Sequence, residues 1–321
     1  MLSRLPVLLC PVCRQELQPI HDGDKGRVRA LACPERHSFD AARQGYFNLL
    51  VGKGTAFESD TAEMVAARAA FLDAGHYRPL ADALAEAARP ALSGPAPTVL
   101  DSGTGTGHYL RAILDYLDSD DHLESDDHVT APADGTAPAD GAAPAEGTGG
   151  LAADGLDISQ FALRRAAKLN PEAINLVGDV WQPLPLPDAA VDVVTVVFAP
   201  RNAAEFARVL KPSGRLIVVT PRAGHLGEIA SQAGMLGIDP DKDERLAEAL
   251  AGRFSPLPAQ DIDVELSLSP EDVTNLALMG PAGHHTDRAT LSERLAGLPQ
   301  TTRVSARFRI SIFVPAEIPA P

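Results

Sequence analysis

The middle of the chain alternates between short apolar runs and longer segments whose apolar residues have helical spacing. Five apolar runs predict strands: "TVLD" (98–101), "GLDI" (155–158), "INLVGD" (174–179), "VDVVTVVFAP" (191–200) and "GRLIVVTP" (214–221). Three intervening segments predict helices: "HYLRAILDYL" (108–117), "SQFALRRAAKL" (159–169), with Ser159 as its N-cap, and "NAAEFARVL" (202–210). This order predicts an α/β fold, a parallel sheet covered by helices on both faces.

The flanking segments extend this arrangement. Two helices precede it, "TAEMVAARAAFLDAG" (61–75) and "YRPLADALAEAARPAL" (77–92). The C-terminal third adds "DERLAEALAGRF" (243–254), a strand in "DIDVELSL" (261–268), a helix in "PEDVTNLALMG" (270–280) and a last strand near "RVSARFRISIFV" (303–314). We therefore divide the chain into a small module (1–55), a helical connector (56–95) and a Rossmann-like domain (96–321).

A low-complexity stretch at about 117–152 interrupts the predicted domain. It contains the near-repeat "APADGTAPADGAAPAEG". Because it has too few large apolar residues to offset the entropy lost on ordering, we expect a disordered acidic insertion there.

Charge is unevenly distributed along the chain. The net charge of −15 by itself argues against a nucleic-acid substrate, because phosphate contacts need Lys and Arg. Residues 115–154, however, contain eleven Asp or Glu and no Lys or Arg, which leaves −4 for the rest. Residues 1–55 hold eight basic and five acidic residues. A basic N-terminal face that binds nucleic acid is therefore compatible with the composition.

All three cysteines lie in the first tenth of the chain, in the pairs Cys10-x2-Cys13 and Cys33-x3-His37. Two such pairs, separated by a roughly twenty-residue hairpin, suit a tetrahedral Zn²⁺ ion held by thiolates and an imidazole. His21 is a rival fourth ligand, but it lies beside the predicted turn "DGDKG" and reads better as a surface residue. The alternative is a set of buried thiols without metal. A site with four protein ligands is closed, so the zinc is structural.

The cysteine pattern also bears on location. Three close cysteines fit metal binding in a reducing cytoplasm better than a disulfide framework. No apolar run approaches the ~18 residues of a membrane span, and the opening "MLSRLPVLLCP" lacks a signal-peptide cleavage site.

A glycine-rich turn, "DSGTGTG", follows the first predicted strand and opens a helix. It has the spacing D-x-G-x-G-x-G from Asp101 through Gly103 and Gly105 to Gly107. A dinucleotide fingerprint would need glycine at 108 or 110, where the chain has His108 and Leu110. The spacing instead fits the turn that binds S-adenosylmethionine (SAM), and Asp157 at the end of the second strand can accept from both ribose hydroxyls. A nucleotide fold without ligand and a purely structural turn are the alternatives.

Three further candidates lie where strands end, the ligand-bearing edge of such a sheet. Asp179 is a candidate acceptor for the adenine amino group or, equally, a helix N-cap. Phe198, in the turn completed by Ala199 and Pro200, is a candidate for stacking on an extruded base, against the plainer reading that it ends a core strand. His225 reads locally as a surface residue at a helix start.

Taken together, the chain resembles the RlmA-type guanine-N1 methyltransferases of large-subunit (23S) rRNA, and within them the tylosin-resistance branch of actinomycetes. The resemblance is carried by "CPVC", "CPERHSFDAARQGYFNLL", "DTAEMVAARAAFLDAGHYRPL", "DSGTGTGHY", "VGDVWQPLPL", "VFAPRNAAEFARVLKPSGRLIVVTP" and "HLGEI". Ser102 and Thr104 depart modestly from the family's turn, and the acidic insertion is an addition to it.

The resemblance implies specific residues. It puts the zinc ligands at Cys10, Cys13, Cys33 and His37. It puts SAM contacts at Tyr77, His108, Tyr109, Leu110 and His225, which overrides the local reading of His225. It also implies a homodimer whose zinc modules flank an RNA cleft, and candidate phosphate contacts at Arg14, Arg27, Arg29, Arg36 and Arg43.

The implied reaction is methylation of guanine N1 in a hairpin of 23S rRNA domain II, and both macrolide resistance and a housekeeping role remain open. Guanine N1 becomes a good nucleophile only when its proton is lost, and Asp60, Asp179 or water are the candidate acceptors. Two neighbouring guanines of the hairpin remain open as targets. A methyltransferase of small molecules would retain activity without residues 1–55, and a non-catalytic ribosome-binding zinc protein would show no SAM turnover with rRNA.

Overall fold

The computed structural model describes residues 7–23, 26, 28–52, 54–126, 151–235, 237 and 241–316. The N-terminal part forms a four-stranded antiparallel sheet in the order β1-β2-β3-β4. Its strands are β1 (Leu8–Leu9), β2 (Glu16–His21), β3 (Val28–Ala32) and β4 (Ser38–Asp40). The cysteine pairs lie in the tight turns that follow β1 and β3, which is why they approach each other in space.

A larger sheet of nine strands forms the body of the protein, in the order β11-β13-β10-β9-β6-β7-β8-β5 with β12 also paired to β13. The strands are β5 (Tyr46–Asn48), β6 (Thr98–Ser102), β7 (Ala152–Asp157), β8 (Ile174–Val177), β9 (Val191–Val197), β10 (Leu210–Pro221), β11 (Phe254–Pro256), β12 (Gln260–Leu268) and β13 (Thr302–Pro315). β5 to β10 run parallel, and β13 is antiparallel to β10. The order reverses at β6, between β7 and β9, so a crevice opens at the carboxyl ends of these strands.

Helices cover both faces of this sheet. They are α1 (Ala62–Asp73), α2 (Arg78–Ala88), α3 (His108–Asp126), α4 (Gln160–Leu169), α5 (Ala203–Val209), α6 (Gly227–Ala233), α7 (Lys242–Leu250), α8 (Pro270–Leu278) and α9 (Arg288–Leu295). The five strands and three helices predicted for the central region are confirmed, and Ser159 caps α4 by accepting from the Ala162 N–H. The short β5, β11, α6 and α9 were not predicted. No helix in the described part of the chain is long and apolar enough to cross a membrane.

Strand β5 belongs to the larger sheet, although the sequence predicted that the small module extends to residue 55. It pairs in parallel with β8, with Tyr46 opposite Asn175 and Asn48 opposite Val177. Tyr46 and Phe47 are both buried, because this edge position covers one ring with α1 and α4 and the other with the N-terminal module. The boundary of the larger sheet therefore falls before β5.

Helix α3 extends beyond the predicted end at Leu117, to Asp126. The start of the expected disordered insertion, 117–126, is therefore helical. The sequence explains the extension, because no Pro or Gly occurs between Gly107 and Pro132. The remainder of the insertion, 127–150, lies outside the described residues.

The small N-terminal sheet packs on one face of the large one. Leu8, Leu17 and Leu31 belong to the same buried cluster as Leu184 and Phe206. The Leu9 N–H also donates to the Pro185 carbonyl at 2.8 Å. The module thus shares its core with the Rossmann-like domain, so zinc is not its only source of stability.

Candidate active site and metal centre

A cavity of about 1140 Å³ opens at the carboxyl ends of β6, β7, β8 and β9. Its floor is the glycine-rich turn and the start of α3, and its far wall is the turn that follows β9. The segment 276–284, from the end of α8 onward, closes another side. Of the predicted residues, Tyr77, Gly103, Gly105, His108, Tyr109, Asp157, Asp179 and His225 line this cavity, as do Asp60, Phe198, Ala199 and Pro200. Asp101, Gly107 and Leu110 do not.

Two of the three glycines in the turn are required for different steric reasons. A Cβ on Gly103, whose φ is 78°, would lie 2.2 Å from the Cβ of Ala199. A Cβ on Gly107 would lie 2.6 Å from Nδ2 of Asn170, because α4 packs there. Gly103 therefore lets the floor meet the β9 turn, and Gly107 lets two helices approach.

Asp157 is held by the backbone around it. Its Oδ2 accepts from the Gly105 N–H at 2.8 Å and its Oδ1 from the Ser159 N–H at 2.7 Å. Burial raises the pKa of Asp157, and these two hydrogen bonds oppose the shift. Each oxygen keeps a second lone pair that can accept a hydrogen bond from a ligand hydroxyl at the cavity surface.

Asp101 lies behind the cavity wall. Its Oδ1 accepts from the Thr195 hydroxyl at 2.7 Å, whereas Oδ2 is buried and has no hydrogen-bond partner among the described residues. Burial raises the pKa of Asp101 to about 6, although the bond from Thr195 opposes it. Interaction with the Thr104 side chain opposes the shift as well. Because Asp101 does not line the cavity, its carboxylate is not placed to contact a ligand directly.

The start of α3 offers main-chain donors. The N–H groups of His108, Tyr109 and Leu110 have no backbone partner in the described part of the chain. The Leu110 side chain is fully buried in the core, so any contact of Leu110 with a ligand is through its backbone. The His108 ring is held between Thr106 and Asp73, each at 2.9 Å. These free N–H groups and Asp157 together fit the amino acid and ribose groups of SAM.

Tyr77 and His225 form an aromatic wall with Phe308. The rings of Tyr77 and His225 stand edge-on to Phe308, with centroids 4.9 and 4.8 Å away. Nδ1 of His225 accepts from the Arg307 N–H at 3.0 Å, and burial lowers the pKa of His225 to about 4. The ring is therefore neutral near pH 7, with its proton on Nε2 as a donor.

Asp60 is tied to residues that the sequence patterns did not single out. Its Oδ2 lies 2.5 Å from Nη1 of Arg68, and its Oδ1 lies 3.7 Å from Nε2 of His284. Arg68 also donates to the Met279 carbonyl at 2.8 Å. The only sequence signal for His284 is the break "MGPAGHH" after a helical segment, which marks a loop without indicating its position.

Both carboxylate oxygens of Asp179 also accept hydrogen bonds from within the protein. Its Oδ2 accepts from the Thr55 hydroxyl at 2.8 Å and its Oδ1 from the Trp181 N–H at 2.9 Å. These bonds shape a turn, and the N-cap alternative is wrong because no helix starts at this point of the described chain: the next helix, α5, begins at Ala203. Trp181 is 48% exposed beside Phe57, so two aromatic rings stand at the cavity mouth.

The turn after β9 holds Phe198 in an unusual backbone conformation. Its φ is 54°, and its side chain is 45% exposed. The ring contacts Phe308 at 5.7 Å and stands perpendicular to Tyr109 at 6.5 Å. A core-strand end would be buried in an extended conformation, so Phe198 does not fit that alternative.

The four predicted zinc ligands are brought together. One ligand atom from each of Cys10, Cys13, Cys33 and His37 lies within 4.8 Å of all the others. Sγ of Cys33 is 3.5 Å from Sγ of Cys13 and 3.3 Å from Nδ1 of His37. Zinc–sulfur bonds of about 2.3 Å in a tetrahedron separate ligands by roughly 3.8 Å, so this donor set fits zinc. His21 is exposed and bonded to the Gly26 carbonyl instead.

The candidate phosphate contacts have different surroundings. The Arg14 guanidinium donates to the carbonyls of Leu184, at 2.8 Å, and Leu186, so it fastens the zinc module to the larger domain. Arg29 is exposed beside Asp22, and Arg36 is exposed. Arg27 lies outside the described residues, and Arg43 has other contacts.

Comparison with known proteins agrees with this architecture. A zinc-ribbon family model described as "RlmA, N-terminal" matches residues 8–52, and one described as "Methyltransferase domain" matches residues 137–218. A "Putative 23S rRNA (guanine-N(1)-)-methyltransferase" of Micromonospora griseorubida is 43% identical, covering 97% of this chain and 98% of that protein. A "23S rRNA (guanine(748)-N(1))-methyltransferase" of Streptomyces fradiae is 39% identical, covering 96% of each chain. A Bacillus subtilis protein described like the first is 33% identical over 68% of this chain and 66% of its own length.

Proposed function

The chain belongs to the 23S rRNA (guanine-N1)-methyltransferases, and from this premise we propose that it methylates the guanine its Streptomyces fradiae relative is named for, guanine 748, in a domain II hairpin. The observation that carries the proposal is the 39% identity to that relative over 96% of both chains. The cavity geometry supports it, because the glycine-rich turn that can hold a cofactor lies opposite a wall with the exposed aromatic ring of Phe198.

We propose that the cavity floor holds SAM, which supplies an electrophilic methyl group when bound. Asp157 accepts hydrogen bonds from the ribose hydroxyls, the N–H groups at the start of α3 receive the amino acid end, and Nε2–H of His225 donates a hydrogen bond to the ligand. Asp101, behind the cavity wall, acts through the glycine-rich turn that follows it and not by direct contact. Tyr77 completes the wall from the connector. The buried Tyr77 ring, 3% exposed, excludes water from this end of the cavity.

On the substrate side, Phe198, Ala199 and Pro200 position the extruded guanine. The exposed Phe198 ring offers a stacking surface, which needs no particular base edge. Carbonyl groups of this turn are suited to the guanine N1–H and amino group, which would give the base-specific part of recognition.

The proton of guanine N1 must leave as the methyl bond forms. Asp60 is paired with Arg68, and both oxygens of Asp179 already accept hydrogen bonds. Neither carboxylate is therefore well suited as a base, and we favour transfer to water. Alignment of N1 with the methyl group then supplies most of the rate enhancement.

The zinc module (1–55) is proposed as the RNA-recognition unit, joined by the connector (56–95) to the catalytic domain (96–321). No residue before Phe57 lines the cavity, so the module is suited to binding RNA outside the chemical site. We also propose a homodimer and a role in macrolide resistance, which the resemblance implies, and a cytoplasmic location, which the cysteine pattern favours.

The test is reverse-transcriptase primer extension on 23S rRNA incubated with protein and SAM. N1 methylation blocks base pairing, so we expect one new stop at guanine 748. The Asp157→Ala variant, which loses the ribose acceptor, should give no stop at the same SAM concentration. A stop at the neighbouring guanine would refute the position, and no stop from the wild-type protein with SAM bound would refute the activity.

A further inference from the structure

Two cations of the cavity wall lack an ion pair in the part of the chain that the structure describes. Arg201 directly follows Pro200 in the turn after β9, and Lys242 is the first residue of α7. Both line the cavity, and both are partly buried. Neither forms an ion pair with a carboxylate among the described residues. The carboxylate next to Lys242, Asp243, is taken by Arg309 at 2.6 Å.

Their surroundings oppose positive charge. Burial lowers the pKa of Arg201. Burial also lowers the pKa of Lys242, and the nearby Arg201 charge lowers it further, whereas the Asp243 charge opposes both in part. Holding two like charges together in a partly desolvated wall is unfavourable unless an anion binds between them.

Arg201 and Lys242 lie apart from the carboxylates of the cavity, whereas Arg68 is paired with one of them, Asp60. The carboxylates of the cavity wall, Glu58, Asp60, Asp157 and Asp179, come from the connector and the ends of β7 and β8. Arg201 and Lys242 lie on the side of β9, which β6 separates from β7. The cationic side is also the side of Phe198, three residues before Arg201. An anion bound there lies next to a base stacked on Phe198 rather than next to the ribose acceptor Asp157.

We propose that Arg201 and Lys242 form a binding site for a backbone phosphate adjacent to the extruded guanine; this rests on the proposed function. An arginine fork binds two phosphate oxygens at once, whereas a lysine adds a compact charge. Extrusion of a base rotates its backbone and brings the flanking phosphate toward the cavity mouth. The site would hold the rotated strand while the base occupies the cavity.

The test compares Arg201→Gln, Lys242→Gln and the double variant with wild type. The control is Arg78→Gln, an exposed arginine paired with Asp82 on α2. We expect each single variant to weaken binding of an unmethylated hairpin transcript about 10-fold, the loss of one charged hydrogen bond. The slope of log affinity against log salt should fall by about 0.7 to 0.9 per variant, because one fewer counterion is released. SAM affinity, measured by calorimetry, should equal that of wild type, as should every property of the control.

Three outcomes would overturn the site. Weaker SAM binding with unchanged RNA binding would mean that the anion is the cofactor carboxylate. An unchanged salt slope would mean that no phosphate is bound, and a loss of RNA binding accompanied by a lower unfolding temperature would mean a structural role. RNA binding is measured without turnover, so a failed primer-extension test of the proposed function leaves this test intact, and the reverse also holds.

Discussion

Among single residues, Asp154 is a carboxyl buried in the middle of the large sheet. It is fully buried in β7, and neither oxygen has a hydrogen-bond partner among the described residues. Burial raises its pKa to about 8. The folded state therefore keeps a proton that the unfolded state loses above pH ~4, so stability falls as pH rises from about 4 to 8.

We accordingly predict that Asp154→Asn is about as stable as wild type at pH 4 and more stable at pH 8. The gain at pH 8 should be on the order of 2–5 kcal/mol, because each unit of pKa shift corresponds to about 1.4 kcal/mol. Urea denaturation at both pH values measures it. Asp82→Asn, at an exposed ion pair, is the control and should show no such pH dependence. Equal gains at both pH values would show that Asp154 does not titrate in this range.

Gly103 gives a second prediction at this scale. Gly103→Ala places a methyl group against Ala199 and forces alanine to a φ of 78°. We expect SAM affinity to fall at least 10-fold and stability to fall by about 2 kcal/mol. Gly227→Ala is the control, since a Cβ there has open space and ordinary φ. The double variant, which combines Gly103→Ala with Ala199→Gly, removes the contact between the two methyl groups, so any loss that it does not recover measures the backbone strain. Unchanged SAM affinity in Gly103→Ala alone would refute the close contact.

At the scale of elements, Arg68 connects α1 to the segment after α8. Its two terminal nitrogens reach Asp60 and the Met279 carbonyl. We predict that Arg68→Gln loosens the segment 276–284 that closes the cavity. Hydrogen exchange of that segment should speed up, and the Kd for SAM should rise several-fold. Arg78→Gln, at the exposed ion pair with Asp82, should change neither; protection of 276–284 equal to wild type would argue against the tie.

The elements also show how far the sequence reaches. The alternation of strands and helices along the chain, the cap at Ser159 and the glycine turn were predictable, because each depends on residues close together in sequence. Arg68, His284, Arg201 and Lys242 converge from four distant segments, and no local pattern carries that information. Strand β5 was missed for a related reason: three residues at a sheet edge are too few to show a period.

For the whole molecule, the shared core changes how the zinc module should be tested. Deleting residues 1–55 removes β5 together with the module, so lost activity would not separate RNA recognition from folding. Substituting single zinc ligands avoids this difficulty.

We predict that His37→Gln abolishes stoichiometric zinc, measured by mass spectrometry, whereas His21→Gln retains it. Loss of a structural zinc destabilises its module. Because no module residue lines the cavity, SAM binding should persist in His37→Gln while rRNA methylation is lost. Full rRNA methylation without zinc would contradict the recognition role.

The acidic insertion leaves the fold at a particular edge. Helix α3 starts at the cavity floor and runs 19 residues, about 28 Å, away from it. Strand β7 resumes with Ala152 opposite Thr98, the first residue of β6, at the edge away from the cavity. In evolutionary terms, this is where a chain can lengthen by copying a short unit such as "APADG" without disturbing catalysis. The same catalytic fold can thus accommodate a history of repeat expansion and contraction.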